Sequence, residues 1–339
     1  MMDLQTTWFI LIAVLLTGYA ILDGFDLGVG ILSLFAHDDR ERRIYINAIG
    51  PVWDGNEVWL LTGGGALFAA FPAVYATVFS GFYLALMLLL VALIFRAVSM
   101  EFRGKVDAAG WRALWDWSFG LGSLLPALLL GVAFGNILRG VPLNGAGNFA
   151  GSFLGLLNPY AILVGLVTAV LFTMHGALYL TTKTDGALRD RLVRWVSGTW
   201  IAFVVLHLLA TGATILVSPF LFAGLLRAPV FWILFLLLLG AVLTLPVVLK
   251  KDRFFGAFLL SSVIVLAVVG LSAVSLFPYL VPSLSNLTNS LTIYNASSSH
   301  ATLAVMLMIA LIGMPLVLAY TFFIYRTFKG KVVLSDESY

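Results

Sequence analysis

The chain has 339 residues, of which 61% are hydrophobic and only 10% are charged, with a net charge of +3. A soluble domain carries about 25% charged residues, so this chain cannot clothe a water-facing surface and must turn much of itself to lipid. The small positive balance is no footprint for nucleic acid. The absence of cysteine excludes disulfides, thiolate nucleophiles, iron–sulfur clusters and thiolate-ligated haem or zinc.

At about 20 residues per crossing, apolar runs give nine predicted transmembrane helices, at residues 7–35, 54–71, 73–100, 113–138, 160–180, 195–219, 230–248, 254–278 and 301–325. The expected fold is all-α and integral to the membrane, a single polytopic domain over residues 1–339. The first run reads as a retained span, since it lacks a basic start and passes through two aspartates without a small-residue cleavage site. Only Phe71-Pro72 punctuates the second and third runs, which points to a hairpin with a very short turn. The connections at 139–158 and 281–300 are loop-sized and rich in Gly, Asn and Ser.

Basic residues sort by side. Arg40, Arg42, Arg43, Arg103, Lys105, Arg112, Lys183, Arg189, Arg191, Arg194, Lys250, Lys251, Arg253, Arg326, Lys329 and Lys331 fall in one set of alternate loops. The other set holds Arg139 and Arg227, and Arg96 lies within a span. The positive-inside rule then puts the rich side in the cytoplasm, the N-terminus outside and the C-terminus inside.

The charges that lipid should exclude carry the functional signal. Asp23 and Asp26, in Ile21-Leu22-Asp23-Gly24-Phe25-Asp26, share one helix face. At mid-bilayer each costs about 2.5–3.5 kcal/mol on insertion scales. Trp53-Asp54-Gly55-Asn56-Glu57 opens the second span, with Asp54 and Glu57 on one face, and Arg96 lies near the end of the third. Two readings stand side by side. One is a ladder of carboxylates leading inward from the cytoplasm, the form proton relays take. The other is a structural cluster, in which a carboxylate pairs with Arg96 and Asp54 caps its helix. Glu101 and Asp116, beside a basic loop, read as solvated, and Trp111, Trp115 and Trp117 as an interfacial aromatic belt.

His175 and His207 fall near mid-depth of the fifth and sixth spans, which permits a bis-histidine haem site, though buried histidines are more often hydrogen-bonded core residues. Gly24-x-x-x-Gly28, Gly63-Gly64-Gly65 and Gly131-x-x-x-Gly135 read as helix-contact surfaces. Asn295-Ala-Ser is a weak match to a glycosylation acceptor.

Together these runs resemble subunit II of the cytochrome bd-type quinol oxidases. The likeness rests on Asp23-Gly24-Phe25-Asp26-Leu27-Gly28-Val29-Gly30, Glu41-Arg42-Arg43-Ile44-Tyr45-Ile46-Asn47 and Pro51-Val52-Trp53-Asp54-Gly55-Asn56-Glu57-Val58-Trp59-Leu60. Ser80-Gly81-Phe82-Tyr83, Gly131-Val132-Ala133-Phe134-Gly135-Asn136, Leu157-Asn158-Pro159 and Phe277-Pro278 follow in order. The resemblance implies two four-helix bundles plus one peripheral helix, in a bacterial or archaeal plasma membrane. It also implies a partner, subunit I, which binds quinol and carries haem b and haem d or a b-type replacement. This chain would then hold no haem and no metal. A small single-helix subunit, lipid and a structural quinone are further partners the family allows. By the same resemblance Asp54 belongs to proton uptake at the subunit interface, Asp23 and Asp26 lie near that route, and Arg96 matches a charged family position. Glu57 departs from a Gln found in some members and adds a titratable group to the set of Asp54, Asp23 and Asp26, with Arg96, Trp53 and Asn56 beside it. A proton-coupled secondary transporter is the alternative, since buried aspartates serve that too. A free-standing di-haem cytochrome using His175 and His207 is a third.

Overall fold

The computed structural model describes residues 3–334. Eleven α-helices follow in order: α1 Leu4–Ser33, α2 Asp39–Ile49, α3 Trp53–Ala70, α4 Pro72–Gly81, α5 Tyr83–Phe102, α6 Ala109–Arg139, α7 Pro159–Lys183, α8 Gly186–Val217, α9 Pro229–Leu249, α10 Phe254–Leu276 and α11 His300–Thr327. Two short antiparallel strands, β1 Tyr279–Val281 and β2 Leu291–Thr292, tie the loop before α11. Val141 bridges Ser283, so the two long connections pack on each other at one end.

Among the described residues, eight helices are long and apolar enough to cross a membrane: α1 and α5 through α11. The second predicted run folds as α3, whose 18 residues include Asp54, Asn56, Glu57 and four glycines; it falls outside that group. The third run differs from expectation. It breaks at Phe82 into α4 and α5, while the single residue Phe71 links α3 to α4. Pro72 opens α4 at a position where its missing N–H costs nothing. No plain hairpin results, because α3 packs on α1 whereas α5 packs on α6.

The amphipathic α2 was not anticipated. Asp38 caps it by accepting from Glu41 N at 2.8 Å, and the Glu41 carboxylate accepts from His37 N at 2.8 Å. This reciprocal arrangement resembles a capping box.

Helices α1 and α7 form the centre, packed on each other, on α6 and on α10. Their approach is set by glycine, since a Cβ at Gly28 would overlap the Phe172 carbonyl and crowd Gly176. Gly131 and Gly135 likewise meet α7 and Gly63 meets Leu16 of α1, but Gly64 and Gly65 face open space, so only the first glycine of that triplet makes the expected contact. Phe25 is fully buried and stacks on Tyr179 at 4.1 Å between ring centroids. Helix α11 lies at the edge against α1 and α3, with few buried side chains.

Candidate functional site

Ten residues before the end of α1, about 15 Å along the axis, Asp23 is fully buried. Arg96 of α5 is equally buried and grips it with two parallel hydrogen bonds, Nη1 to Oδ2 at 3.0 Å and Nη2 to Oδ1 at 2.6 Å. This fork-on-fork geometry is the strongest form of a carboxylate pair. Gly122 of α6 lets α5 come close enough, since a Cβ there would press on the Arg96 backbone.

Asp26, one turn further along and also fully buried, is held differently. Its Oδ2 accepts from Asn56 Nδ2 at 2.7 Å, while Oδ1 has no hydrogen-bond partner. The Asn56 amide also donates to Leu22 O at 3.2 Å and accepts from Tyr325 Oη at 2.9 Å. One amide thereby joins α1, α3 and α11. Two more buried polar atoms flank the pair without partners, Arg96 Nε and Tyr19 Oη. Such atoms are rare in folded interiors.

Glu57 is half-buried and lies within electrostatic reach of Arg96, Asp23 and Asp54. Asp54 is exposed. The N-cap of α3 is Val52, so Asp54 is not the cap; it sits in the first turn, where the helix dipole favours a carboxylate. Trp53 is half-buried and packs on the core. Burial therefore rises from Asp54 through Glu57 to Asp26.

At the end of the bundle rich in basic residues, Arg103 donates through Nε to Asp116 at 2.6 Å and pairs with Asp39, and Arg42 lies 3.6 Å from Asp116. Asp116 is thus paired rather than solvated, because two guanidinium groups converge on it. Burial pushes the Asp39 carboxyl up, but Arg103 beside it outweighs this and holds it below its ordinary range. The expected aromatic belt divides: Trp117 is exposed, whereas Trp115 is buried.

Residues 4–328 match the family model described as cytochrome bd terminal oxidase subunit II. The chain belongs to that family. It is 38% identical over 366 aligned residues to the cytochrome bd-I ubiquinol oxidase subunit 2 of Escherichia coli K12, covering 98% of this chain and 96% of the relative. It is 38% identical over 336 residues to the cytochrome bd ubiquinol oxidase subunit 2 of Bacillus subtilis, covering 98% of each. Its fold matches a chain in the structure of the bd oxidase from Geobacillus thermodenitrificans with a TM-score of 0.78, at 20% identity and covering 96% of this chain and 99% of that one. The transporter alternative has no counterpart among these relatives.

Membership raises the question of haem. His175 and His207 do not form the bis-histidine site that their depth permits. His175 Nε2 faces Ile21 O at 3.0 Å, and since a carbonyl only accepts, that nitrogen carries the proton. Nδ1 meets Ser261 Oγ at 2.6 Å, and the ring stacks on Phe258. Neither nitrogen is free for iron. His207 is half-buried on α8 and stacked on Phe203. No cluster of three or more His, Asp or Glu side chains suited to a metal exists among the described residues.

Sequence reasoning found Asp23, Asp26, Asn56, Glu57 and Arg96, which the fold brings together. It missed Tyr325 and Tyr19. A tyrosine near a span end reads as an interfacial anchor, and nothing local marks Tyr325 as reaching Asn56. Tyr19, one turn before Asp23 on the same face, was open to discovery by helical spacing.

Proposed function

We propose that this chain is the non-haem subunit II of a cytochrome bd-type quinol oxidase, which supports subunit I and delivers cytoplasmic protons for reduction of dioxygen to water. The observation that carries this reading is the Asp26 carboxylate, fully buried yet with one oxygen unpartnered. Structural carboxylates are normally satisfied, as Asp23 is. A group left half-satisfied in the interior suits a proton that comes and goes, with water bridging it to its neighbours.

In this reading Asp54 receives the proton at the exposed face, Glu57 passes it inward, and Asp26 holds it at the core. Asn56 fixes Oδ2 of Asp26, leaving Oδ1 as the atom that takes the proton. Asp23 is closed on Arg96, with both of its oxygens held. The pair sets the local field without itself exchanging protons. Haem b and haem d, or a b-type replacement, supply electron transfer and oxygen chemistry when bound in subunit I.

The same proposal has nine crossings in a bacterial or archaeal plasma membrane, with the N-terminus outside and the C-terminus in the cytoplasm. Support for counting α3 comes from its two ends. Ala70 O accepts from Ser298 N just before α11, and Asn56 meets Tyr325 in the last turns of α11. Eighteen residues span about 27 Å, close to the hydrocarbon thickness of about 30 Å. Helix α11, with little burial, suits the peripheral helix beside two four-helix bundles. Its apolar surface, like that of α5, leaves room for lipid, a structural quinone or a small single-helix subunit. The test is Asp54→Asn in the purified complex. Quinol-dependent oxygen consumption falls while the haem spectrum stays intact; normal turnover would remove Asp54 from the route.

A further inference from the structure

At the basic end, the last turn of α7, the first turn of α8, the turn between α9 and α10 and the segment after α11 border an open surface recess of about 400 Å³. Arg189, Arg253 and Lys331 line it against a single carboxylate, Asp252. The Arg189 guanidinium rests 5.0 Å from the centre of the Phe254 ring, which holds it in place. Lys331 pairs with Asp185 at 2.8 Å, but Arg189 and Arg253 form no salt bridge among the described residues. Two guanidinium groups thus meet one recess with no salt bridge to either among the described residues, Asp185 lying within electrostatic reach of Arg189. Below its rim an exposed apolar stripe runs down α10 through Phe255, Leu259 and Leu266.

We propose that this recess binds the phosphoryl headgroup of an anionic phospholipid, with its acyl chains on the α10 stripe. Guanidinium forks match phosphoryl oxygens, and basic pockets between transmembrane helices select such headgroups. A free phosphate would satisfy the same cations. The stripe continuing from the rim favours a ligand with an apolar tail, and Phe255, 65% exposed, marks where headgroup gives way to chain. Asp252 also lines the recess, and the pairing of Lys331 with Asp185 leaves the two guanidinium groups as its open cations. The site is remote in sequence from the Asp54, Glu57 and Asp26 route and does not depend on that reading.

The test uses the purified, delipidated oxidase complex. Phosphatidylglycerol in mixed micelles stabilises the wild type against thermal unfolding and is retained in native mass spectra, while phosphatidylcholine is not. Arg189→Gln with Arg253→Gln weakens phosphatidylglycerol binding about 25-fold, each cation near the surface being worth about fivefold. Arg189→Lys with Arg253→Lys preserves most of it. The haem spectrum reports assembly of each variant. Equal phosphatidylglycerol binding by an assembled Gln variant would overturn the site, as would equal retention of the two lipids by the wild type. Full stabilisation by inorganic phosphate alone would overturn the lipid assignment. Should the Gln variant fail to assemble, the lipid comparison on wild type and the Lys variant decides.

Discussion

Replacing Arg96 with Met separates the closed pair from the open carboxylate beside it. Both members of the pair are fully buried and joined by hydrogen bonds of 2.6 and 3.0 Å. Removing the arginine strands Asp23 as an uncompensated charge, at a cost of about 3–5 kcal/mol. Taken at 1.4 kcal/mol per decade, that is roughly two to three and a half orders of magnitude in the folded population. Removing both partners, Asp23→Leu with Arg96→Met, leaves no stranded charge, and apolar replacement of a buried pair is often neutral or better. The assay is thermal unfolding of the purified complex, followed by haem absorbance and by oxygen consumption at a permissive temperature. Expected are a large loss for the single variant and recovery to within about 1 kcal/mol of wild type for the double. On the proposed route, in which Asp26 and not Asp23 carries the proton, the double variant also keeps most of its turnover. A double variant as unstable as the single one, or assembled but inactive, would refute the division between the closed pair and the open route.

Tyr325→Phe frees Asn56 from one of its hydrogen bonds and slows turnover about fivefold, the value of roughly 1 kcal/mol for one such bond; unchanged turnover would remove Tyr325 from the relay's support. Gly28→Val forces α1 against the Phe172 carbonyl and abolishes assembly, read as loss of the haem-bearing complex on gel filtration, while Gly240→Ala, facing open space, is tolerated. In His175→Leu any complex that assembles contains the wild-type haem complement, and a missing haem in the pyridine haemochrome assay would contradict the partner-only assignment. Because Arg103 lowers the Asp39 carboxyl, the latch it forms is fully present above the unfolded value of about 3.9 and is lost as pH falls through the lower folded value. Protection factors for the α2 amides, corrected for intrinsic exchange, therefore hold steady from pH 5 to 7 and fall only below about pH 4.

Eight of the nine predicted runs contain helices long and apolar enough to cross a membrane, because lipid imposes long apolar stretches with little ambiguity. The break at Phe82 was not, since its flanks are as apolar as the rest. Helix α2 carried its own signal in Asp38 and Glu41, but a search for spans passes over amphipathic helices at the surface. Asp23 and Arg96 were each visible as misplaced charges. That a carboxylate pairs with Arg96 was one of the two readings the sequence offered; that it is Asp23 depends on α5 lying against α6, which Gly122 permits and no local pattern announces. Conversely, the expectation that Asp54 caps α3 failed because the helix begins at Trp53, with Val52 as its cap two residues before Asp54.

The central claim is that protons reach the core through the open oxygen of Asp26. It is tested most directly by Asp26→Asn, followed as proton uptake from the cytoplasmic side when the reduced complex in vesicles reacts with oxygen. The amide keeps the contact with Asn56 but cannot carry the proton, so uptake slows at least about tenfold, within the range that a positioned acid–base group contributes, while the haem spectrum remains that of wild type. Wild-type uptake in an intact Asp26→Asn complex would contradict the account.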